Sequence, residues 1–211
     1  MITNIQELPS KATPSLVPSS QSSSIQNDTS DGDLIQRVAL GDTYSMGVVY
    51  TRHSVRVYRF ILRFIDNEAV AEEVVNEVFL DVWRSATKFE GRSQVSTWLL
   101  ALARHKALAM RRRRSTEPLP DAAEESIEDT LDDPEIAMQR KQRSTMLLNC
   151  LAMLSPAHRE IIHLVYYHGK TISDAAAIIG IAQNTVKTRM FYARKRLVQL
   201  LGAQGMVTAL A

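Results

Sequence analysis

Residues 171–201 read TISDAAAIIGIAQNTVKTRMFYARKRLVQLL, a pattern that predicts two helices joined by a tight turn. Thr171 suits the N-cap of the first helix, and Asp174 three residues later can complete a capping box. Gly180 is expected to end that helix, because glycine enters the left-handed conformation of a C-terminal cap without strain. The second helix is predicted to begin near Gln183, so the stretch has the form of a helix-turn-helix.

The second helix of this pair is predicted to have two chemically different faces. One face is an apolar stripe at helical spacing, formed by Val186, Met190, Ala193 and Leu197. The opposite face mixes amide, hydroxyl, aromatic and cationic side chains, at Asn184, Thr188, Phe191 and Lys195, flanked by Lys187 and Tyr192. This mixture is typical of a helix that lies in the major groove of DNA. A solvated face on an ordinary helical hairpin is the alternative interpretation.

The composition indicates a helical protein of one large or two small domains. The chain has 211 residues, of which 45% are hydrophobic, with only 8 glycines and 7 prolines. Its single cysteine, Cys150, excludes an internal disulfide and is typical of a reducing compartment. The sequence has no apolar run long enough for a membrane span, and residues 1–30 lack the apolar core of a signal peptide. We therefore expect a cytoplasmic location.

Composition and periodicity divide the chain into five segments. The first segment is rich in serine and proline, a composition that predicts disorder. A stretch with nine carboxylates and no cation separates two helical parts and predicts an extended acidic linker. The predicted order is a disordered extension at 1–30, a helical domain at 31–114, the linker at 115–135, a second helical domain at 136–202 and a tail at 203–211.

Apolar side chains at helical spacing predict the buried faces. In the first part we expect helices at 33–40, 45–65, 68–86 and 95–114, with a loop at 89–94. The helix at 45–65 offers for a core Val48, Val49, Val55, Tyr58, Ile61, Leu62 and Ile65. The next helix carries valines at every fourth position, Val70, Val74, Val78 and Val82. In the second part the first stripe is predicted at Met146, Leu147, Cys150, Leu151 and Leu154.

The two helical parts together resemble an extracytoplasmic-function (ECF) sigma factor, the small two-domain class of the sigma-70 family. The second part resembles region 4 of that family over LSPAHREIIHLVYYHGKTISDAAAIIGIAQNTVKTRMFYARKRL, at 154–197. The first part resembles region 2 of the family in two segments. Residues 71–84, AEEVVNEVFLDVWR, resemble its polymerase-binding helix. Residues 89–113, FEGRSQVSTWLLALARHKALAMRRR, resemble its promoter-melting segment. The resemblance covers about residues 31–202 and implies an all-α fold, with two small helical domains joined by the acidic flexible linker.

The resemblance implies a dissociable subunit that lends promoter specificity to RNA polymerase. Such a subunit brings core RNA polymerase to promoter DNA and initiates transcription, here expected for a stress or envelope response. RNA synthesis belongs to the polymerase, so we expect no enzymatic activity, cofactor or metal in this chain. Many relatives are held inactive by an anti-sigma factor, and one is expected as a partner here.

The resemblance also assigns the −35 element of a promoter to the second helix of the pair. Lys187, Thr188 and Phe191 align with base-contacting positions of the family and are expected to read base edges. The residues expected to hold phosphates are Asn184, Thr185, Arg194 and Lys195. Tyr192 stands where many members carry a cation, and it completes the expected DNA-binding set.

The −10 element is the expected target of residues 89–114. The loop is expected to enclose one extruded base with Arg92, Ser93 and Gln94, while Trp98 supports it from the apolar side. The side chains expected to approach phosphates are Arg104, His105, Lys106 and the run Arg111, Arg112, Arg113 and Arg114.

The acidic segments are expected to meet the polymerase. The resemblance implies docking on core polymerase through Glu73, Asn76, Glu77, Leu80 and Asp81, although an acidic helix face is otherwise a solvated one. The linker is expected either to lie along the basic channel that later carries RNA or to be a solvated tether.

Two other function classes are open to the residues alone. An enzyme would need a catalytic set, but the five histidines form no HExxH arrangement, there is one cysteine, and no Walker-type loop is present. A stand-alone helix-turn-helix regulator that binds an operator as a dimer explains the second part. It does not explain the acidic helix at 68–86 or the basic helix that follows it.

Overall fold

The computed structural model describes residues 29–114 and 134–203, and within these ranges the regular elements are all helical. Nearly all of the predicted disordered extension and of the linker, together with residues 204–211, lie outside the described residues. The first part contains α1 (Asp31–Ala39), α2 (Thr43–Ile61), α3 (Glu68–Ser85), a 3₁₀ turn (Ala86–Lys88) and α4 (Val95–Arg114). The second part contains α5 (Pro134–Ala152), α6 (Pro156–Ile162), a π-helical turn (His163–Tyr167), α7 (Ile172–Ile179) and α8 (Gln183–Ala203). The all-α prediction is confirmed.

Helix α3 buries its valine stripe as predicted. The Asn67 side chain caps the helix by accepting a hydrogen bond from the backbone N–H of Val70 at 3.1 Å. Val74, Val78 and Val82 are fully buried, and Val70 is 6% exposed. Since α3 packs on both α2 and α4, this stripe faces the core of the first part.

Helix α2 differs from the prediction at one core position. Val49, Val57 and Phe60 are buried, and His53 lies on the same stripe. Val55 is 58% exposed, so its predicted place in the core was wrong. At about 100° per residue it falls on the side opposite His53. The segment holds more apolar residues than one helix face can bury.

Among residues 143–152 of α5, whose side chains the structure describes, burial is confined to the C-terminal end. Cys150 and Leu151 are 0% and 7% exposed, whereas Met146 and Leu147 are 39% and 40% exposed. Helix α5 contacts α8, and Cys150 and Leu151 are its buried positions within residues 143–152. The predicted stripe is therefore correct at its end and wrong one turn earlier.

The helix-turn-helix forms as predicted. The Thr171 hydroxyl accepts a hydrogen bond from the backbone N–H of Asp174, and the Asp174 carboxylate accepts one from the Thr171 N–H. Gly180 has φ +78°, the left-handed conformation of a C-terminal cap. In α8, Val186 and Ala193 have no exposed surface, so its apolar stripe packs on α6 and α7.

The two helical parts pack against each other through α4 and α7. Lys170 lies in this contact and is 4% exposed. Its Nζ donates to Ser96 Oγ at 2.6 Å and to Thr97 Oγ1 at 3.0 Å, and Thr97 donates to Asp174 Oδ1 at 3.1 Å. Burial lowers the pKa of the Lys170 ammonium. The hydroxyl oxygens around it therefore replace water that the ammonium has lost.

A second polar contact joins the segment that follows α2 to the π-helical turn. Arg63 Nη1 lies 2.7 Å from His163 Nε2. A guanidinium has no lone pair, so it donates here and the His163 ring accepts as a neutral imidazole. Burial, together with the charge of Arg63, lowers the pKa of His163 to about 3, which keeps the ring neutral at physiological pH.

Replacing Gly180 with alanine is expected to lower the unfolding free energy by about 1–2 kcal/mol, because the left-handed conformation is strained for alanine. An added Cβ would meet nothing within 4 Å, so no steric clash contributes. Gly47→Ala is the matched control, since Gly47 has the same open surroundings inside α2 and no positive φ. This control should stabilise the helix by about 0.5–1 kcal/mol. Urea unfolding measures both changes, and the same sign for both would contradict the expectation.

Candidate nucleic-acid interface

The outward face of α8 carries exposed groups that suit DNA. Phe191 and Tyr192 are 63% and 53% exposed, and Lys187 and Thr188 are also exposed. Thr188 Oγ1 donates to the carbonyl oxygen of Asn184 at 3.0 Å, which leaves lone pairs of the hydroxyl to accept from a base. Helix α8 thus presents the mixed face predicted for it on the side opposite its buried stripe.

The predicted phosphate-binding residues of α8 lie around this face. Asn184, Arg194 and Lys195 are exposed, while Thr185 is half-buried. The guanidinium carbon of Arg194 lies 5.5 Å from the centroid of the Tyr166 ring, a cation–π contact. Tyr166 is 62% exposed and was missed in the sequence, because it belongs to the π-helical turn and not to the helix-turn-helix.

The loop before α4 borders a cavity of about 330 Å³. Ser93 and Gln94, which were predicted to enclose a base, line this cavity together with Phe89. The Phe89 ring centroid lies 5.0 Å from that of Trp98, so Trp98 backs one cavity wall. Asp31, from the first turn of α1, also lines the cavity. No local sequence pattern links α1 to this loop, so Asp31 was missed.

Exposed positive charge follows the loop and the end of α4. Arg92 is 85% exposed, pairs with Glu90 and does not line the cavity. An exposed pair of this kind contributes little stability, so the Arg92 guanidinium can exchange Glu90 for a phosphate. His105 is exposed, as is the run 111–114, which holds four arginines. These groups can together contact the backbone of a nucleic acid.

Arg104 faces the second helical part. Its Nε and Nη2 donate to the two carboxylate oxygens of Glu160 at 2.6 and 3.3 Å. The two side chains are 22% and 13% exposed. A guanidinium holds a carboxylate and a phosphate with the same pair of donors. In this packing Glu160 therefore occupies donors that were predicted to face DNA.

The predicted polymerase-binding face runs along α3. Glu73 and Asn76 are exposed, and Leu80 is 52% exposed. Trp83 is 38% exposed one turn after Leu80 and adds apolar surface. Sequence reasoning missed Trp83, although its position outside the valine stripe was the available signal.

Lys106 joins α4 to this acidic face. Its Nζ lies 3.3 Å from a carboxylate oxygen of Glu77 and 3.0 Å from one of Asp81. Hydrogen bonding to Asp81 raises the pKa of Lys106, so the ammonium stays charged. In this structure Lys106 contacts α3, whereas the prediction from the sequence is that Lys106 approaches phosphates.

The described residues include neither a metal-binding group of side chains nor a membrane-spanning helix. Within residues 29–114 and 134–203, no group of three or more histidine, cysteine, aspartate and glutamate side chains could hold a metal ion. Among the helices described here, none is both long and apolar enough to cross a membrane.

Comparison with known protein families matches both helical parts. Residues 49–117 match Sigma-70 region 2, and residues 144–197 match Sigma-70, region 4. The ECF RNA polymerase sigma factor SigK of Mycobacterium bovis (strain BCG / Pasteur 1173P2) is 30% identical over 163 residues, covering 74% of this chain and 86% of SigK. The ECF RNA polymerase sigma factor SigL of Mycobacterium tuberculosis (strain ATCC 25618 / H37Rv) is 28% identical over 167 residues, covering 77% and 92%.

Two solved structures share the fold. CnrH, in complex with the cytosolic domain of CnrY, has a TM-score of 0.58 at 22% identity, covering 82% of this chain and 97% of CnrH. The sigma factor RpoE, in complex with the anti-sigma factor NepR from Bartonella quintana, has a TM-score of 0.55 at 25% identity, covering 72% and 94%. Since both sigma regions are matched in order and one relative reaches 30% identity over most of its length, the chain belongs to the ECF group of the sigma-70 family and is an RNA polymerase sigma factor.

Proposed function

We propose that this sigma factor reads a promoter with two surfaces, α8 at the −35 element and the loop at 89–94 with α4 at the −10 element. The observation that carries the proposal is the face of α8, where Phe191 is 63% exposed opposite a buried stripe. An aromatic ring gains free energy when a partner covers it. The match to both sigma regions disfavours a stand-alone regulator, which would use the second region alone.

Each group on α8 has a suitable counterpart in the major groove. The Lys187 ammonium can donate to the O6 and N7 acceptors of guanine, and the Phe191 ring can contact a thymine methyl group. Thr188 can serve either kind of base edge. Arg194 and Lys195 carry charge that can hold phosphates on either side of these bases, which fixes the register of the helix.

Lys187→Ala is expected to weaken specific promoter binding by about 1–3 kcal/mol and to relax preference at one base pair of the −35 element. Lys195→Ala is the matched control, because it also removes one positive charge, but from a residue proposed to contact phosphate. That change should weaken all sequences alike and reduce the salt slope of binding by about one. Holoenzyme binding to promoter variants at several salt concentrations measures both. An unchanged promoter preference in Lys187→Ala would reject the base contact.

At the −10 element, the cavity beside the loop offers room for one unstacked base. Phe89 supplies a stacking surface, and Ser93 and Gln94 supply hydrogen-bonding groups. Taking a base out of the duplex costs a few kcal/mol. The sigma factor therefore works at this element together with the polymerase, whose binding free energy supports the opening.

The packing of α4 on α7 is too compact for both elements to be read at once. About 25 base pairs separate positions −10 and −35, which is about 85 Å of duplex at 3.4 Å per base pair. Helix α4 packs on α7, and α7 packs on α8. Packed helix axes lie about 8–10 Å apart, so α4 and α8 are separated by about 20 Å. The two parts must separate when the promoter is bound.

Core polymerase is proposed to bind the outward face of α3. Glu73, Asn76 and Leu80 lie exposed on this face, and Trp83 extends its apolar surface. Carboxylates around an exposed apolar centre suit a partner that presents cations around an apolar patch.

Glu73→Lys is expected to weaken binding to core polymerase about tenfold, which corresponds to about 1.4 kcal/mol. Glu68→Lys is the matched control, because Glu68 is also exposed on α3 but points about 140° away from Glu73. The two variants change the net charge equally, so a difference between them reports the docking face. Titration of fluorescently labelled sigma factor with core polymerase measures both affinities. Equal losses in the two variants would place the docking face elsewhere.

An anti-sigma partner, the cellular setting and the absence of catalysis complete the proposal. RpoE, 25% identical to this chain, is solved with the anti-sigma factor NepR, and this supports a protein inhibitor of the same kind here. We assign the chain no reaction chemistry of its own and place it in the cytoplasm, in the control of a stress or envelope response. These assignments follow from its similarity to ECF sigma factors.

A further inference from the structure

The cavity beside the loop contains a charged group that base capture by the loop does not explain. Asp31, in the first turn of α1, lines this cavity of about 330 Å³. The other described residues that line it are uncharged, among them Phe89, Gly91, Ser93 and Gln94. A carboxylate repels phosphate, so the cavity suits a neutral base rather than the nucleic-acid backbone.

Two side chains of α2 hold the Asp31 carboxylate in position. Arg52 Nη1 donates to Oδ1 at 2.9 Å, and His53 Nε2 donates to Oδ2 at 2.8 Å. His53 is 8% exposed, so one of these donors is fixed in the core. Each carboxylate oxygen has a second lone pair, and the Asp31 side chain remains 32% exposed. The carboxylate is thus oriented and can accept further hydrogen bonds.

We propose that Asp31 determines which base the cavity accepts, by accepting a hydrogen bond from the exocyclic amino group of cytosine or adenine. This inference rests on the proposed capture of a −10 base by the loop. A carboxylate accepts from the amino group of cytosine, whereas the O4 of thymine would oppose it with lone pairs. Phe89 can stack on either ring, so stacking tolerates both bases and Asp31 supplies the discrimination.

A purely structural role for Asp31 predicts a different result. A carboxylate in the first turn of α1 interacts favourably with the helix dipole, and the pair with Arg52 ties α1 to α2. Asp33 shares the first role, since it lies in the same turn, but it does not line the cavity. These structural roles affect stability and give no dependence on the identity of the bound base.

The test measures binding of the complete holoenzyme to fork-junction probes whose −10 bases are already single-stranded. At the captured position, cytosine is compared with uracil and adenine with purine, since each exchange removes the amino group. The wild-type chain should prefer the amino-bearing member of at least one pair by about tenfold, the effect expected of a hydrogen bond to a charged group. The pair that responds identifies the base.

Asp31→Asn should reduce this preference to about one or reverse it toward uracil, because the amide can donate to O4. Asp33→Asn, which removes the same charge from the same turn, should keep the wild-type preference. If Asp31→Asn binds as selectively as wild type, the inference is overturned. The comparison of bases on the wild-type chain remains decisive if Asp31→Asn does not fold, because equal affinity for both members of both pairs also overturns it.

A loop variant separates failure of this inference from failure of base capture. Gln94→Ala should weaken binding to every single-stranded −10 probe if the loop captures a base. If Gln94→Ala weakens binding while Asp31→Asn leaves the preference intact, the cavity captures a base but Asp31 does not select it. If neither variant changes binding or preference, capture by the loop and selection by Asp31 are both rejected.

Discussion

The buried ammonium of Lys170 connects the two sigma regions and contacts residues of the surface proposed for the −10 element. It lies 4% exposed between α4 and α7, where its acceptors are Ser96, Thr97 and, at 3.5 Å, the side-chain oxygen of Gln94. A buried charge is tolerated only when such acceptors replace its water. Gln94 and Ser96 also line the cavity proposed for a −10 base. The position of region 4 therefore affects the walls of a cavity in region 2.

The ion pair between Arg104 and Glu160 also joins region 4 to a residue predicted to bind DNA, further along α4. A carboxylate of region 4 occupies both donors of a guanidinium that was predicted to bind DNA. By contrast, the face of α8 around Phe191 and the face of α3 around Leu80 are exposed. The compact packing thus leaves the surfaces proposed for the −35 element and the polymerase accessible, while it engages part of the surface proposed for the −10 element.

Features that depend on residues close together in the sequence could be predicted. The capping box at Thr171, the left-handed Gly180 and the valine stripe of α3 each follow from spacing within one or two turns. The exposed position of Val55 could not be predicted, because several apolar residues competed for one buried face. Which side is covered depends on tertiary partners that the local pattern does not contain.

The candidate site also contains some features that the sequence predicts and others that depend on tertiary contacts. The mixed face of α8 follows from helical periodicity, and the resemblance to sigma factors led to the proposal that this face binds the −35 element. Asp31 and the loop are about sixty positions apart in the chain, and Arg104 and Glu160 are also remote from each other. No periodicity or motif links such pairs. Only the fold shows that Asp31 borders the cavity and that Glu160 covers Arg104.

The most direct measurement of whether α4 and α8 serve one promoter together is the distance between the two regions. Fluorescent labels at Leu40→Cys and Val198→Cys suit this purpose, because both positions are exposed and lie outside the proposed contacts, while Cys150 is fully buried. Addition of core polymerase and promoter DNA should increase the distance between the labels toward the about 85 Å between the two elements. An unchanged distance in a complex that initiates promoter-specific transcription would contradict simultaneous reading of the −10 and −35 elements by these two surfaces.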